Sequence, residues 1–251
     1  MRLYLILFIL SVQSNVFLFS QTTTKLLSIE IKYSYSTPNS GVLQYSLQIC
    51  DSISNWHVID KSPAANYKTL SINTSSEYFF YKRRKNNSVS YTEFVNKSRF
   101  LVSDSLHAMR WKLSDENKEI LGLKCKSAKT SFRGRNYIAF YSYEIPIPEG
   151  PWKFGGLPGV ILEIYSLDKE YKYSAIEINK DLICSSSNDI KFEKSITWIQ
   201  FKAEFIKSID KSVKVMKSTD TEDDSGYPTM YKYHRPEIIY PAVQIGEGIK
   251  F

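Results

Sequence analysis

Long apolar runs are absent from almost the whole chain. After residue 20, no stretch approaches the 18 consecutive apolar residues typical of a membrane-spanning helix. The chain also lacks the HExxH pattern of zinc proteases, the Gly-x-Ser-x-Gly elbow of serine hydrolases and any CxxC pair. Its histidines, His57, His107 and His234, stand in unrelated contexts. These absences predict no catalytic residues, no metal, no other cofactor and no transmembrane span in the mature chain.

Cysteine is also scarce, with Cys50, Cys125 and Cys184 as its only occurrences. An odd number leaves at least one thiol unpaired within a monomer. One disulfide in an oxidising compartment and a set of buried, inert thiols are equally compatible with this count.

The first 20 residues have the pattern of a secretory signal peptide. Arg2 supplies the charged start, residues 3–12 are apolar, and polar residues at 13–15 interrupt the run. Cleavage after Ser20 would begin the mature chain at Gln21. We therefore predict a signal peptide over 1–20 and a single β-rich domain over 21–251, located in the periplasm, at the outer-membrane periphery or outside the cell.

Aromatic residues are plentiful. They make up 14% of the chain, with 18 tyrosines, and 43% of all residues are apolar. This composition is typical of β-sheets with a sizeable core. The formal net charge of +7, or +6 without Arg2, is spread over lysine-rich polar faces. Because no nucleic-acid-binding motif accompanies it, we predict no nucleic-acid partner, whereas attraction to anionic lipid or polysaccharide stays open.

Alternation of apolar and polar residues predicts a mainly β, antiparallel protein. The first two strands are predicted at 28–35 and 42–50, joined by a turn at 38–41. Residues 51–76 have no sustained period and are predicted to form a surface excursion. Turns are also predicted at 115–117 and at 133–136, where Gly134 would supply an unusual φ. Further strands are predicted at 77–82, 89–94, 100–102, 109–113, 120–132, 137–145, 160–165 and 171–178.

One helix is predicted near residues 196–210. Trp198, Phe201, Phe205 and Ile209 are spaced by three or four positions, which places one apolar stripe on a helix that packs against the sheet. The predicted fold is therefore a curved antiparallel sheet or half-barrel with one covering amphipathic helix. Such a sheet would present a concave aromatic face to a ligand.

The densest cluster of turn-forming residues lies at 150–159, which we call the signature loop. It contains four of the ten glycines and two of the nine prolines, and a strand-like run follows at once. Pro158 followed by Gly159 predicts a type II turn with positive φ at Gly159. Trp152 is predicted to anchor the loop in the core. A phosphate-binding loop is disfavoured, because no Lys-Ser/Thr follows and the next element is a strand. The structural residues of the loop are Gly150, Pro151, Gly155, Gly156, Leu157, Pro158 and Gly159.

The sequence GPWKFGGLPGVILEI at 150–164 resembles the signature of the GLPGLI family of Bacteroidetes envelope proteins. The fifth position of that motif is Val160 here, where the family name has leucine. Upstream segments at 122–128, 132–135 and 144–146 are similar too, so the resemblance covers about residues 109–166. It implies a location in the bacterial envelope and implies no catalytic residues.

Two loops hold the candidate ligand-binding residues, which are Arg133, Arg135, Trp152, Lys153 and Phe154. If the loops converge at one rim of the sheet, they form an apolar floor with a cationic edge. That combination suits an amphiphile or a peptide carboxylate, because an arginine–carboxylate contact strengthens where aromatic groups exclude water. The alternative is that the same residues only pin the two loops together.

Other charged residues near these loops leave further alternatives. The arginines could brace Glu144 or Glu163. The basic segment 82–87 is predicted to be a solvated hairpin tip, with anion binding as the alternative. An acidic stretch at 219–226 lacks the full spacing of an EF-hand calcium loop.

The sequence favours a non-enzymatic binding or carrier module for an apolar, anionic or peptide ligand. One alternative is an envelope hydrolase that uses carboxylates around the signature loop, namely Glu144, Glu149 or Glu163. Another is a structural partner of an outer-membrane protein. A continuous apolar cavity under Trp152 would favour a carrier, and two carboxylates converging in a wet cleft would favour a hydrolase.

Overall fold

The computed structural model describes residues 28–38, 40–61, 80–180, 195–218 and 236–239. The predicted signal peptide, Cys184, the acidic stretch at 219–226 and His234 lie outside these ranges. The strands are β1 (Ser28–Thr37), β2 (Ser40–Cys50), β3 (Ile53–Lys61), β4 (Phe80–Arg83), β5 (Ser88–Val95), β6 (Ser98–Ser105), β7 (Lys112–Ile120), β8 (Leu123–Phe132), β9 (Arg135–Ser142), β10 (Val160–Ser166), β11 (Lys172–Lys180) and β12 (Ile196–Thr197), and the helix is α1 (Trp198–Ser218).

All twelve strands belong to one sheet, in the order β12-β6-β5-β4-β3-β2-β1-β11-β10-β9-β8-β7. Strand β1 joins the two halves by pairing with β2 on one side and with β11 on the other. Neighbouring strands are antiparallel, except that the short β12 runs parallel to β6. The predicted mainly antiparallel β fold is confirmed.

The sheet curves strongly around its own inner face. Seven strand-to-strand steps separate β5 from β9, so a flat sheet would place them roughly 34 Å apart. Yet Tyr91 of β5 lies 2.7 Å from the Lys153 ammonium, and the Tyr137 ring of β9 lies 4.7 Å from the ring of Phe154, the next residue. The two halves therefore face each other across the signature loop, as a half-barrel requires.

Helix α1 covers the β5–β6 end of the sheet. Its predicted apolar stripe is buried at Phe201, Phe205 and Ile209, and Phe100 of β6 packs edge-on against Phe201. Thr197 caps the first turn, because its hydroxyl accepts the Gln200 N–H while the Gln200 side chain accepts the Thr197 N–H. The helix was predicted over 196–210. It begins at Trp198 and continues to Ser218. Within the described ranges, no helix is long and apolar enough to cross a membrane.

The prediction of a surface excursion at 51–76 is wrong for residues 53–61, which form β3. The polar residues of this segment hide its alternation, but it pairs along most of β2. Trp56 is buried and its ring stacks on Tyr45, with 4.8 Å between centroids and 5° between planes. Cross-strand pairing and this aromatic contact therefore form a strand where the local sequence pattern is weak.

The turn predicted at 115–117 is also misplaced. These residues lie within β7, where an irregularity between Ser114 and Asn117 absorbs the extra residues. The chain reverses instead at Leu121 and Gly122, which have φ of 52° and 76°. Positive φ at both central residues is typical of a two-residue type I′ hairpin turn.

The turn predicted around Gly134 is present. Arg133 and Gly134 have φ of 45° and 87°, and Phe132 pairs with Arg135 across them. The geometry again suits a type I′ turn, and it directs both arginines towards the inner face.

The cysteines divide into two kinds. Cys50, at the end of β2, is disulfide-bonded, and Cys125 of β8 is a buried free thiol. Of the two alternatives that the sequence left open, one disulfide with a remaining buried thiol is the observed arrangement.

Candidate functional site

The signature loop fills the inner side of the curved sheet. Lys82 of β4 donates to the Phe154 carbonyl at 2.8 Å, and the Trp111 indole donates to the Gly155 carbonyl at 2.9 Å. The space under the loop is occupied by Phe154, which is fully buried. Residues from both halves of the sheet therefore contact this loop, which connects the two halves in the interior.

Gly159 is required for a different reason from the one predicted. Among the described glycines, positive φ occurs at Gly122, Gly134 and Gly156, so the prediction of positive φ at Gly159 is wrong. A Cβ atom on Gly159 would lie 2.1 Å from the Ser142 carbonyl oxygen. The loop therefore needs glycine there because two backbones pass in close contact.

Trp152 holds the outer part of the loop against the core. It has φ of 51°, an uncommon conformation for a large residue. Its half-buried ring packs edge-on against Phe132 and Phe154, with centroid distances of 5.9 and 5.3 Å. This strained backbone position directs the next side chain, Lys153, into the interior.

The Lys153 ammonium is completely buried and fully partnered. It donates to the Tyr91 hydroxyl at 2.7 Å, to Glu237 Oε1 at 2.7 Å and to Asp104 Oδ2 at 3.2 Å. It also lies 4.1 Å from the centroid of the Tyr91 ring and 4.6 Å from that of Trp198. Burial lowers the pKa of Lys153, against the opposing effect of Glu237 and Asp104. The two carboxylates and the aromatic faces offset the cost of burying this cation.

Arg133 shares both carboxylates with Lys153. Its guanidinium bonds Asp104 at 2.7 Å and also bonds Glu237. It lies over the Trp198 ring at 4.1 Å. Burial alone would lower the pKa of Arg133, but Glu237 and Asp104 outweigh burial and raise it. We call Lys153, Arg133, Asp104 and Glu237 the charge cluster, since two cations and two carboxylates meet there.

Arg135 has different partners. It is buried, its guanidinium pairs with Asp168, and it lies 4.9 Å from the Tyr171 ring centroid. Its Nε also donates to the Pro236 carbonyl at 3.2 Å. Arg135 therefore stands beside the charge cluster without joining it.

The arginines do not brace the carboxylates that the sequence suggested. Glu144 accepts the Lys124 N–H at 2.8 Å, and Glu163 pairs with Lys118 at 2.6 Å on the outer face of the sheet. Hydrogen bonds from Lys118 and Ser174 outweigh the effect of burial and lower the pKa of Glu163. The bracing hypothesis for Glu144 and Glu163 is therefore wrong.

A short segment at 236–239 lies across the site. The Pro236 carbonyl accepts from the Tyr137 hydroxyl at 2.7 Å as well as from Arg135. The Ile238 N–H donates to the Arg133 carbonyl at 3.0 Å, and Ile239 is buried. With the Glu237 carboxylate in the charge cluster, every predicted cation of the site contacts this 236–239 segment.

Sequence reasoning found the cations of the site and the loop aromatics Trp152 and Phe154. It missed Asp104, Glu237, Tyr91 and Trp198. Trp198 was assigned only to the helix stripe. Nothing local marks Asp104 or Glu237 as partners of the signature loop. The only signal was indirect, because buried cations need compensating carboxylates from somewhere in the chain.

Among the described residues, the carboxylates that the sequence suggested for a hydrolase do not pair with one another. Glu149 is buried and pairs with Lys82 at 2.6 Å, while Glu144 and Glu163 have the separate partners described above. Asp104 and Glu237 do converge, but both are buried between cations. In the part of the chain that the structure describes, no group of three or more His, Cys, Asp or Glu residues is placed to hold a metal ion.

Comparison with known families gives a match to a domain family. The profile described as "N-glycanase peptide, N-terminal domain" matches residues 52–202, which is more than half of the chain. The chain belongs to the PNGase F-II N-terminal domain family. A comparison with curated protein sequences gives no match.

A solved structure of PNGF-II shares the fold of this chain. The structure in space group P21 has a TM-score of 0.50 and 21% identity, over 72% of this chain and 34% of that chain. The structure in space group C2 has a TM-score of 0.49 and 20% identity, over 72% and 33%. The chain thus spans about a third of the length of PNGF-II. A LolA superfamily protein from Nitrosomonas europaea has a TM-score of 0.26 and 8% identity, over 67% of this chain and 90% of that chain.

Proposed function

We propose that this protein is an exported, non-enzymatic binding module that recognises an extended peptide carrying a carboxylate. The observation that supports this proposal is the position of the chain's own 236–239 segment. Its sequence is Pro-Glu-Ile-Ile. It occupies the site formed by the residues that the sequence had suggested for a peptide carboxylate.

The contacts to this segment are of the kinds that peptide recognition uses. A backbone carbonyl and a backbone N–H of the segment are both hydrogen-bonded, at Pro236 and Ile238. An apolar side chain lies on Gly134, where an added Cβ would come 3.0 Å from Ile238 Cβ. Backbone bonds supply affinity, while the carboxylate and the apolar contact supply specificity.

Charge balance favours an occupant of the site that brings a carboxylate. Arg133 and Lys153 contribute two positive charges, and Asp104 contributes one negative charge. Without Glu237, one buried cation would be uncompensated, which costs several kcal/mol. A neutral sugar or a simple apolar chain would not remove that cost. The peptide ligand is therefore favoured over the purely apolar one.

The family assignment is compatible with this role. Its description, "N-glycanase peptide, N-terminal domain", names an N-terminal domain rather than a whole enzyme. We also propose that the motif at 156–161 makes the chain a GLPGLI-type envelope protein, with residues 1–20 as its signal peptide. N-terminal sequencing of the protein from its native host should then find a mature chain that begins at or near Gln21.

The binding proposal is tested with the full chain and labelled peptides. A Glu237→Ala, Ile239→Ala double variant should release the 236–239 segment from the site. Fluorescence anisotropy should then show that this variant binds N-acetyl-Pro-Glu-Ile-Ile-amide at least about tenfold more tightly than the Pro-Gln-Ile-Ile peptide, since a charged hydrogen bond contributes ~1.5–3 kcal/mol. Wild-type protein should bind the same peptide more weakly than the variant does.

Glu119→Ala provides the matched control, because Glu119 is an exposed carboxylate on β7. It should bind the peptide no better than wild type. If the double variant is unfolded, Glu237→Gln alone replaces it, with thermal melting to verify the fold. Equal affinity for the Glu and Gln peptides would contradict the proposal, as would failure of the released site to bind either.

A further inference from the structure

A pocket of about 220 Å³ opens beside the signature loop. Residues 82–84 and 87–88 of the β4–β5 hairpin form one side, and residues 106–109 form another. Its apolar walls include Leu106, Ala108 and Met109, and its charged groups include Arg84 and Glu149. We propose that this pocket binds a small monocarboxylate with a short apolar tail, with Arg84 as its anion-binding residue.

Lys82 is not available to bind an anion in this pocket. It is buried, and its ammonium pairs with Glu149 at 2.6 Å. It also donates to the carbonyls of Phe154 at 2.8 Å and Gly150 at 3.4 Å. Two hydrogen bonds to carbonyl oxygens and the ion pair with Glu149 therefore hold this ammonium. The predicted solvated hairpin tip is therefore wrong for Lys82, which instead fixes the floor of the pocket.

Arg84 is the cation whose donors remain open. Its Nε lies 4.0 Å from Glu149 Oε1, which is beyond hydrogen-bond distance, and its side chain is 26% exposed. The guanidinium makes no hydrogen bond to any residue within the described ranges. A planar guanidinium presents paired N–H donors that match a carboxylate in a bidentate contact. Arg84 thus supplies a charged, partly desolvated fork at the pocket.

The other residues that line the pocket determine which anions bind well. Glu149 places a second carboxylate near the bound anion, so a dianion such as phosphate meets more repulsion than a monoanion does. Leu106, Ala108 and Met109 provide apolar surface for an alkyl tail. A cavity of ~150 Å³ accommodates benzene, so this volume suits a ligand of a few more atoms. A short-chain carboxylate and the C-terminal residue of a peptide share this chemistry.

This inference is independent of the proposed function. It depends on Arg84 and Glu149 and uses neither Arg133, Asp104 nor the 236–239 segment. Lys153 of the charge cluster also lines the pocket, but its ammonium is held by Tyr91 and Glu237. The two can therefore fail separately, because Glu237→Gln should leave binding at this pocket unchanged.

The test is a titration of full-length protein that carries ¹³C-methyl methionine. The chain has four methionines, so the Met109 methyl signal can be assigned with a Met109→Leu variant. Butyrate should shift this signal to saturation, and inorganic phosphate should bind at least about tenfold more weakly. N-acetyl-Ala-Val with a free C-terminus should bind, whereas its amide should not. Tighter binding of that dipeptide than of butyrate would assign the pocket to a peptide terminus, and the reverse would assign it to free carboxylates.

Arg84→Ala should weaken butyrate binding at least about tenfold, because it removes a charged hydrogen-bond donor. Lys85→Ala is the matched control, since Lys85 is exposed on the same hairpin tip and does not line the pocket. It should leave the affinity within about twofold of wild type. The inference is overturned if Met109 does not respond to butyrate, if Arg84→Ala binds like wild type, or if phosphate binds as tightly as butyrate.

Discussion

Lys153 and Glu237 lie 84 positions apart in the chain, yet their side chains meet at 2.7 Å in a fully buried environment. This ion pair joins the signature loop to the 236–239 segment. Arg133 and Asp104 complete the cluster from opposite halves of the sheet. The same four residues therefore close the half-barrel and hold the proposed peptide position.

Replacing Lys153 with methionine should destabilise the fold by ~3–5 kcal/mol, because Asp104 and Glu237 would then share a single buried cation. Urea unfolding followed by tryptophan fluorescence measures the change. Lys112→Met, at an exposed position of β7, should change the unfolding free energy by less than about 0.5 kcal/mol. A Lys153→Met, Glu237→Gln double variant should lose less than the sum of the two single variants. A loss below ~1 kcal/mol for Lys153→Met would show that the cluster does not hold the fold.

Gly159→Ala should destabilise the protein by at least about 2 kcal/mol, because the new Cβ would overlap the Ser142 carbonyl and force the two backbones apart. Gly122→Asn is a suitable comparison. Gly122 has φ of 76° and no atom near an added Cβ, and asparagine tolerates this conformation. That variant should melt close to wild type. Similar melting temperatures for Gly159→Ala and wild type would contradict the close approach.

The Cys125 thiol should resist modification in the folded protein. Burial raises the pKa of Cys125 from 9.0 to about 11. A thiol-specific reagent at pH 8 should label it only after denaturation, while Cys50 should remain in a disulfide under non-reducing conditions. Labelling of Cys125 in the native protein at pH 8 would contradict this burial.

The same shift predicts a contribution to alkaline sensitivity. The unfolded thiol ionises near pH 9.0, whereas the folded thiol stays protonated until about pH 11. The folded state therefore binds more protons in this window, so the stability from this group is complete below pH 9 and falls as pH rises towards 11. The unfolding free energy should fall less between pH 8 and pH 10 in Cys125→Ala than in wild type. An equal fall of the unfolding free energy in both proteins would show that Cys125 does not contribute to the alkaline sensitivity.

Much of the sheet could be predicted because its strands have strong local patterns. Residues 28–35 alternate almost strictly, and β1 covers them. The Arg-Gly turn at 133–134 and the stripe on α1 were equally clear. Strand β3 and the Leu121–Gly122 turn were missed because cross-strand pairing, rather than local composition, determines them.

The candidate site could be predicted only in part. Arginine and lysine beside aromatic residues marked the cationic side of the site, but the carboxylates that compensate them come from distant segments. Their pairing depends on curvature that brings β6 against the β8–β9 turn. No periodic pattern in the sequence predicts such a long-range contact. Gly159 is a similar case. The sequence marked this residue as important, but glycine is needed there because of the close contact with Ser142, which only the tertiary structure shows.

Hydrogen–deuterium exchange at the Ile238 amide tests most directly whether the 236–239 segment occupies an exchangeable peptide site. That N–H donates to the Arg133 carbonyl, so it should be protected in the free, full-length protein. Addition of excess N-acetyl-Pro-Glu-Ile-Ile-amide should displace the segment and reduce this protection, whereas the Pro-Gln-Ile-Ile peptide should not. An Ile238 amide that exchanges freely without peptide, or one whose protection is unchanged at saturating Pro-Glu-Ile-Ile peptide, would contradict the account.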